Sequence, residues 1–130
     1  MNEIQFSKYA PVVLRWGLAL VYFWFGVSQI TNSNMWIGMV PSWVTNFIGI
    51  DAITVVRLNG WFEVVAATFL MVGVYVRWSA LLLFIHLTVI TIHLGFNTIG
   101  VRDFGLSLST LALALFGADD FNLQSNNKNL

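Results

Sequence analysis

The sequence predicts an all-α integral membrane protein, a four-helix up-down bundle with the N and C termini on the same side. Three observations carry this expectation. Of the 130 residues, 58% are hydrophobic and 9% charged, where a soluble domain carries about a quarter charged residues. The mean hydropathy is +0.77. Four apolar runs approach or reach the roughly 17 to 25 residues that a bilayer-crossing helix requires, and four such runs in so short a chain leave too little polar surface to cover them in water. Proline and glycine lie mostly at the ends of these runs, with no long repeat and no low-complexity tract, so a single membrane domain is expected over residues 1–130.

The first helix is placed at 12–30. It carries Arg15 in its early turns, is rich in aromatic residues and lacks a small-x-small site after Ile30, so it is expected to be a membrane helix and not a cleaved secretory leader. Residues 35–50 follow, with Trp36, Trp43 and Phe47 around Pro41. Aromatic residues broken by proline suggest an interfacial or re-entrant segment over the bundle mouth, either a plain anchor or a lid. The second and third helices, 58–76 and 78–96, are joined by little more than Val76, Arg77 and Trp78. A loop over 97–103 leads to the fourth helix at 104–117, and these short connections make neighbours antiparallel. Lys8, Arg15, Arg77 and Lys128 fall on the terminal side, against Arg57 and Arg102 opposite, which puts both termini in the cytoplasm. The polar tail after Gly117 is expected to leave the membrane there and is assigned no chemistry.

Charge and cysteine usage exclude several function classes. Acidic and basic residues balance and are scattered singly, which offers no polybasic patch, so no nucleic-acid partner is expected. Cysteine is absent, which removes disulfide exchange, thiolate catalysis and iron–sulfur ligation by this chain. Redox chemistry would have to use a bound cofactor, a partner or a quinone.

At 100° per residue the few polar groups share faces. Arg15, Tyr22, Gly26 and Gln29 align on the first helix, and Asn59, Glu63 and Ala67 on the second. His86 and His93 align on the third, and Asp103, Ser107 and Thr110 on the fourth. In lipid such stripes must face one another. Counting inward from the outer face places Gln29, Glu63 and His93 at similar depth, with Asn59, Arg102 and Asp103 just above, Tyr22, His86 and Thr110 near the middle, and Arg15 at the inner end. Glu63 and His93 are therefore the candidate catalytic pair. Arg102, Asp103, Gln29, Asn59, Tyr22, His86 and Arg15 are candidate ligand-binding residues. A plain interhelical clasp is the alternative reading of the same cluster. His86 and His93, seven residues apart on one helix, cannot both ligate one haem iron; a single-histidine haem or a metal on Glu63 and His93 stays open, though one histidine with one carboxylate is a small donor set and no metal is expected.

Three stretches, "VVLRWGLALVYFWFGVSQI", "NGWFEVVAATFLMVGVYVRWSALLL" and "GVRDFGLSLSTLALALFG", together resemble the DoxX/DoxD-like family of small four-helix membrane proteins. The resemblance runs from Arg15 to about Phe121 and rests on the order and spacing of weak motifs. It implies a multi-pass protein of a prokaryotic cytoplasmic membrane, related to proteins associated with thiosulfate oxidation by quinone or with membrane-bound redox assemblies. By the same resemblance Arg15, Glu63, Arg102 and Asp103 occupy the family's characteristic charged positions. Gln29 stands where relatives often carry lysine, which weakens the case for a small anion such as thiosulfate.

Two functions are expected to compete. The first is a quinone-linked oxidoreductase subunit that binds quinone without a covalent cofactor and takes electrons from a second redox subunit. The second is a non-catalytic anchoring, assembly or chaperone module. Membrane lipid is a partner in both, and a homo-oligomer is compatible with either. A transporter finds little support in four short spans without a broken helix or repeated half.

Overall fold

The computed structural model describes residues 6–117; the polar tail, with Lys128, lies outside them. Among these residues the secondary structure is helical throughout. Helix α1 spans Ala10–Thr31, a 3-10 helix spans Ser33–Met39, and a short α2 spans Ser42–Ile48. Three further long helices follow: α3 at Ala52–Val72, α4 at Val76–Leu94 and α5 at Thr98–Phe116. Four of them, α1, α3, α4 and α5, are long and apolar enough to cross a membrane. Only 28–33% of the most apolar stretch of each is buried inside the bundle. The remainder, including Trp24, Leu58, Trp61, Trp78 and Leu82, points outward, the inverse of a soluble bundle with its polar outer face.

Three of the four long helices, α1, α3 and α5, are longer than their apolar runs, and two predicted starts move outward. Helix α3 starts at Ala52, not at residue 58; Asp51 stands at its N-cap in an extended conformation, its side chain accepting a hydrogen bond from the Thr54 hydroxyl. Helix α5 starts at Thr98, not at residue 104. There the Asn97 side chain accepts the Gly100 amide at 2.8 Å, so Arg102 and Asp103 sit on the helix instead of before it. The link between α3 and α4 is also earlier than expected. Gly73 (φ 76°) ends α3 in a left-handed cap, Tyr75 (φ 50°) leads into α4, and Val76 and Arg77 already belong to α4.

Helix α1 packs most closely on α3, and α4 on α5, giving two helix pairs. The α1–α3 contact is a backbone approach at Gly26 and Gly60. A Cβ at Gly60 would lie 2.7 Å from the Gly26 carbonyl oxygen, and one at Gly26 would lie 2.7 Å from that of Gly60. Small residues let membrane helices come this near. Between the pairs sits a core of Leu18, Ala19, Ala67, Leu70, Leu83 and Leu113.

At the terminal end, two arginines close helix C-termini. Arg15, 1% exposed, donates from Nη1 to the carbonyls of Leu70 at 2.7 Å and Met71 at 2.9 Å. Arg77 donates from Nε to the Ala114 carbonyl at 3.2 Å. Each supplies a donor and a positive charge where a helix ends in unpaired carbonyls. The opposite, distal end carries the 3-10 helix, α2 and the loop from α4 to α5.

Candidate ligand site

The distal half of the bundle encloses a cavity of about 250 Å³. Its floor is polar. The Gln29 amide donates to Glu63 Oε2 at 2.9 Å, and Asn59 Nδ2 donates to Gln29 Oε1 at 2.6 Å. Asn59 also reaches Glu63 Oε1, at 3.5 Å. Two amides thus hold the carboxylate between α1 and α3. Glu63 is 2% exposed and Gln29 4%, and no lysine or arginine pairs with Glu63 among the described residues.

From α4, His86 approaches with Nε2 3.6 Å from Glu63 Oε1. That separation is beyond hydrogen-bonding range, and His86 Nε2 is buried without a hydrogen-bond partner. Phe62 packs edge-on against the imidazole at 5.2 Å, which fixes the ring plane. From α5, Asp103 is 1% exposed and accepts Arg102 Nε and Nη2 at 3.0 Å each, both on Oδ1. The Arg102 guanidinium, half exposed, lies 5.5 Å over the Phe25 ring, and all four of Phe25, Arg102, Asp103 and His86 line the cavity.

The rest of the wall is apolar, and much of its roof comes from the segment between α1 and α3. Trp36, Met39, Val40, Pro41 and Val44 all border the cavity. Trp36 is fixed by donating from Nε1 to Ser28 Oγ at 3.0 Å and by edge-on packing against Phe25 at 5.6 Å. The other face of α2, with Trp43, Phe47 and Ile48, is exposed. The segment is therefore a roof with an apolar underside and an apolar top, suited to lying in the membrane surface.

The candidates read from the sequence divide accordingly. Gln29, Asn59, Glu63, His86, Arg102 and Asp103 converge on one cavity. His93 does not: it is exposed in the last turn of α4 and borders no part of the cavity. The reason lies in the helix boundaries. Helix α3 extends six residues further out than its apolar run, about 9 Å, so Glu63 is deeper than a count from residue 58 suggests. His86, two turns inside His93 on the same face, comes level with it. Tyr22 lies deeper still, bonded to Thr110 across 2.8 Å. Arg15 is at the terminal end, committed to the C-terminus of α3. The roof residues Met39, Val40 and Val44 carried no polar signal that could have marked them. Among the described residues no three histidine, aspartate or glutamate side chains gather as a metal-ligand set.

The size and lining define what fits. A dry cavity of about 150 Å³ accepts benzene, so this one, at about 250 Å³, has room for a substituted single ring. Apolar walls with a few convergent polar groups are the usual make-up of a small-molecule site.

The model of the DoxX family matches residues 10–95. The chain belongs to the DoxX family. No curated protein and no solved structure matches it. The matched residues cover α1 to α4, so in this DoxX protein Asn59, Glu63, Gln29 and His86 lie within the family region, whereas Arg102 and Asp103 come from α5 beyond it.

Proposed function

We propose that this DoxX protein is the membrane subunit of a quinone-linked redox system of the thiosulfate:quinone oxidoreductase type, and that it binds the quinone ring in the distal cavity. The observation that carries the reading is Glu63: a buried carboxylate held by two amides, with no lysine or arginine paired to it among the described residues, facing an apolar cavity beside His86 Nε2, a nitrogen that lacks a hydrogen bond. An unpaired ionised group at membrane depth costs roughly 2.5–3.5 kcal/mol on insertion scales. A carboxyl group at that depth, facing a cavity, is a candidate for proton exchange with a ligand.

A bound quinone supplies the reducible carbonyls. Glu63 holds or releases the proton, and Gln29 and Asn59 fix the orientation of its carboxylate. His86 Nε2 supplies a hydrogen bond to the ring oxygen or relays a proton to Glu63. Arg102, already paired with Asp103, places positive charge at the cavity wall where negative charge develops. Phe25, Trp36 and Pro41 exclude water from the ring. Quinone reduction takes two electrons and two protons; the protons pass through this site, and the electrons come from a partner redox subunit, the chain having no cysteine of its own. The protein would sit in a prokaryotic cytoplasmic membrane with its termini in the cytoplasm, and the ring would enter from the outer leaflet under the roof.

The test is saturable binding of a short-chain quinone to the purified protein in detergent, beside Glu63→Gln. Binding by the wild type that the variant loses, with both folded, is the expected result. A second reading, an assembly or anchoring module, draws on the bonds from Gln29 and Asn59 that tie α1 to α3 through Glu63, and on the exposed aromatic face of α2. It predicts no saturable quinone binding by either form.

A further inference from the structure

A second, polar notch opens at the distal end, separate from the cavity. It measures about 210 Å³ and is lined by Thr31, Asn32, Ser33, Asn34, Met35, Ile53 and Arg57. Arg57 is exposed, and no carboxylate pairs with it among the described residues. Its Nε donates to Ser33 Oγ at 3.3 Å. That hydroxyl is anchored in turn on the Gln29 carbonyl at 2.7 Å, so the guanidinium is held at the notch with its two terminal nitrogens unspent among the described residues. Asn32, Asn34 and Thr31 are exposed around it and offer neutral donors and acceptors.

What lies below the notch identifies the ligand class. The Gly26–Gly60 contact marks the line along which α1 and α3 meet. At 100° per residue, Gln29 and Glu63 fall about 60° to one side of that line, toward the cavity. Phe23 and Val27 on α1, with Arg57 and Trp61 on α3, fall about 60–100° to the other side. Phe23, Val27 and Trp61 are all exposed large apolar side chains. The result is an apolar seam on the outward-facing side of the bundle, capped toward the distal end by a cation and amides.

We infer that the notch and the seam together hold one phospholipid of the distal leaflet, its phosphodiester on Arg57 and its acyl chains along Phe23, Val27 and Trp61. A guanidinium with free nitrogens matches phosphate oxygens in number and geometry. The amides and hydroxyls around it suit a hydroxylated headgroup such as glycerol. A choline ammonium would instead bring a second cation beside Arg57, so the site favours phosphatidylglycerol over phosphatidylcholine. The inference is independent of the quinone reading, since none of the side chains assigned to the lipid lines the cavity.

Native mass spectrometry of the detergent-solubilised protein, supplied with phosphatidylglycerol or phosphatidylcholine, tests it. The wild type is expected to retain one phosphatidylglycerol in preference to phosphatidylcholine. Arg57→Gln is expected to lose about fivefold of that retention, the scale of one membrane-surface cation. Asn34→Asp, an exposed change that sets an anion in the notch, is expected to lower it similarly while leaving thermal unfolding unaltered. Should Arg57→Gln fail to fold, Asn34→Asp alone decides. Equal retention of the two lipids by the wild type overturns the inference, as does unchanged retention in the variants. So does full displacement of the lipid preference by excess inorganic phosphate, which would mark a free-anion site.

Discussion

Replacing Arg15 with methionine separates a structural role from a ligand-binding one. Arg15 is buried to 1% exposure and donates two hydrogen bonds from one nitrogen to the carbonyls of Leu70 and Met71. Methionine keeps much of the side-chain volume and removes both donors and the charge. Hydrogen bonds from a charged group are worth about 1.5–3 kcal/mol in soluble proteins, but interhelical bonds in membranes average nearer 0.6 and reach about 1.7 kcal/mol. Two such bonds, with a favourable cation at a helix C-terminus adding up to about 2 kcal/mol, give an expected loss of about 2–4 kcal/mol. Equilibrium unfolding in mixed micelles of mild detergent and dodecyl sulfate reads this directly. Lysine at the same position should recover part of the loss, because it restores the charge without the planar fork. A loss below about 1 kcal/mol for Arg15→Met would refute the capping argument. So would a folded Arg15→Met protein with selectively weakened quinone binding, because Arg15 borders no part of the cavity.

Three further outcomes follow from the same geometry. His86→Ala should weaken ring binding about tenfold, the value of roughly one hydrogen bond to a buried partner, whereas His93→Ala should bind as the wild type; titration of both variants with a short-chain quinone compares them. Gly60→Ala forces a Cβ to 2.7 Å from the Gly26 carbonyl oxygen and should cost about 1–3 kcal/mol as an overpacked contact, read in the same unfolding assay. Asn97→Ala removes the side-chain acceptor of the Gly100 amide and should cost about 1 kcal/mol, with faster amide exchange confined to the first turn of α5.

The membrane bundle was legible because its signal is compositional: four apolar runs without enough polar residues to serve a soluble surface. The polar faces were legible too, since Gln29, Asn59, Glu63 and Asp103 each recur at helical spacing with small residues, and each lines the cavity. Depth was harder to read. Apolar runs stop at the first charged residue, but helices stop at caps, and the caps at Asp51 and Asn97 lie several residues further out. That difference exchanged His93 for His86 beside Glu63. The role of Arg15 was hidden for another reason, because its partners are backbone carbonyls 55 and 56 residues away, and backbone groups leave no mark in a sequence. The roof residues Met39, Val40 and Val44 are chemically indistinguishable from any lipid-facing side chain until the chain is folded over the bundle.

The pairing of α1 with α3 and α4 with α5 has a mechanical consequence. Each pair is fastened at the terminal end by its own arginine, Arg15 in one and Arg77 in the other, and the α3–α4 turn joins them there. Toward the distal end, the polar ties between the pairs include the Tyr22–Thr110 bond and, above it, the looser approach of His86 to Glu63. The molecule is thus built like a clam, its two shells joined at the base by one turn, and its cavity lies along the lip. Both arginine bonds run within a pair, so turning one pair against the other would leave them made, and what resists parting is the apolar core between the pairs together with the Tyr22–Thr110 bond.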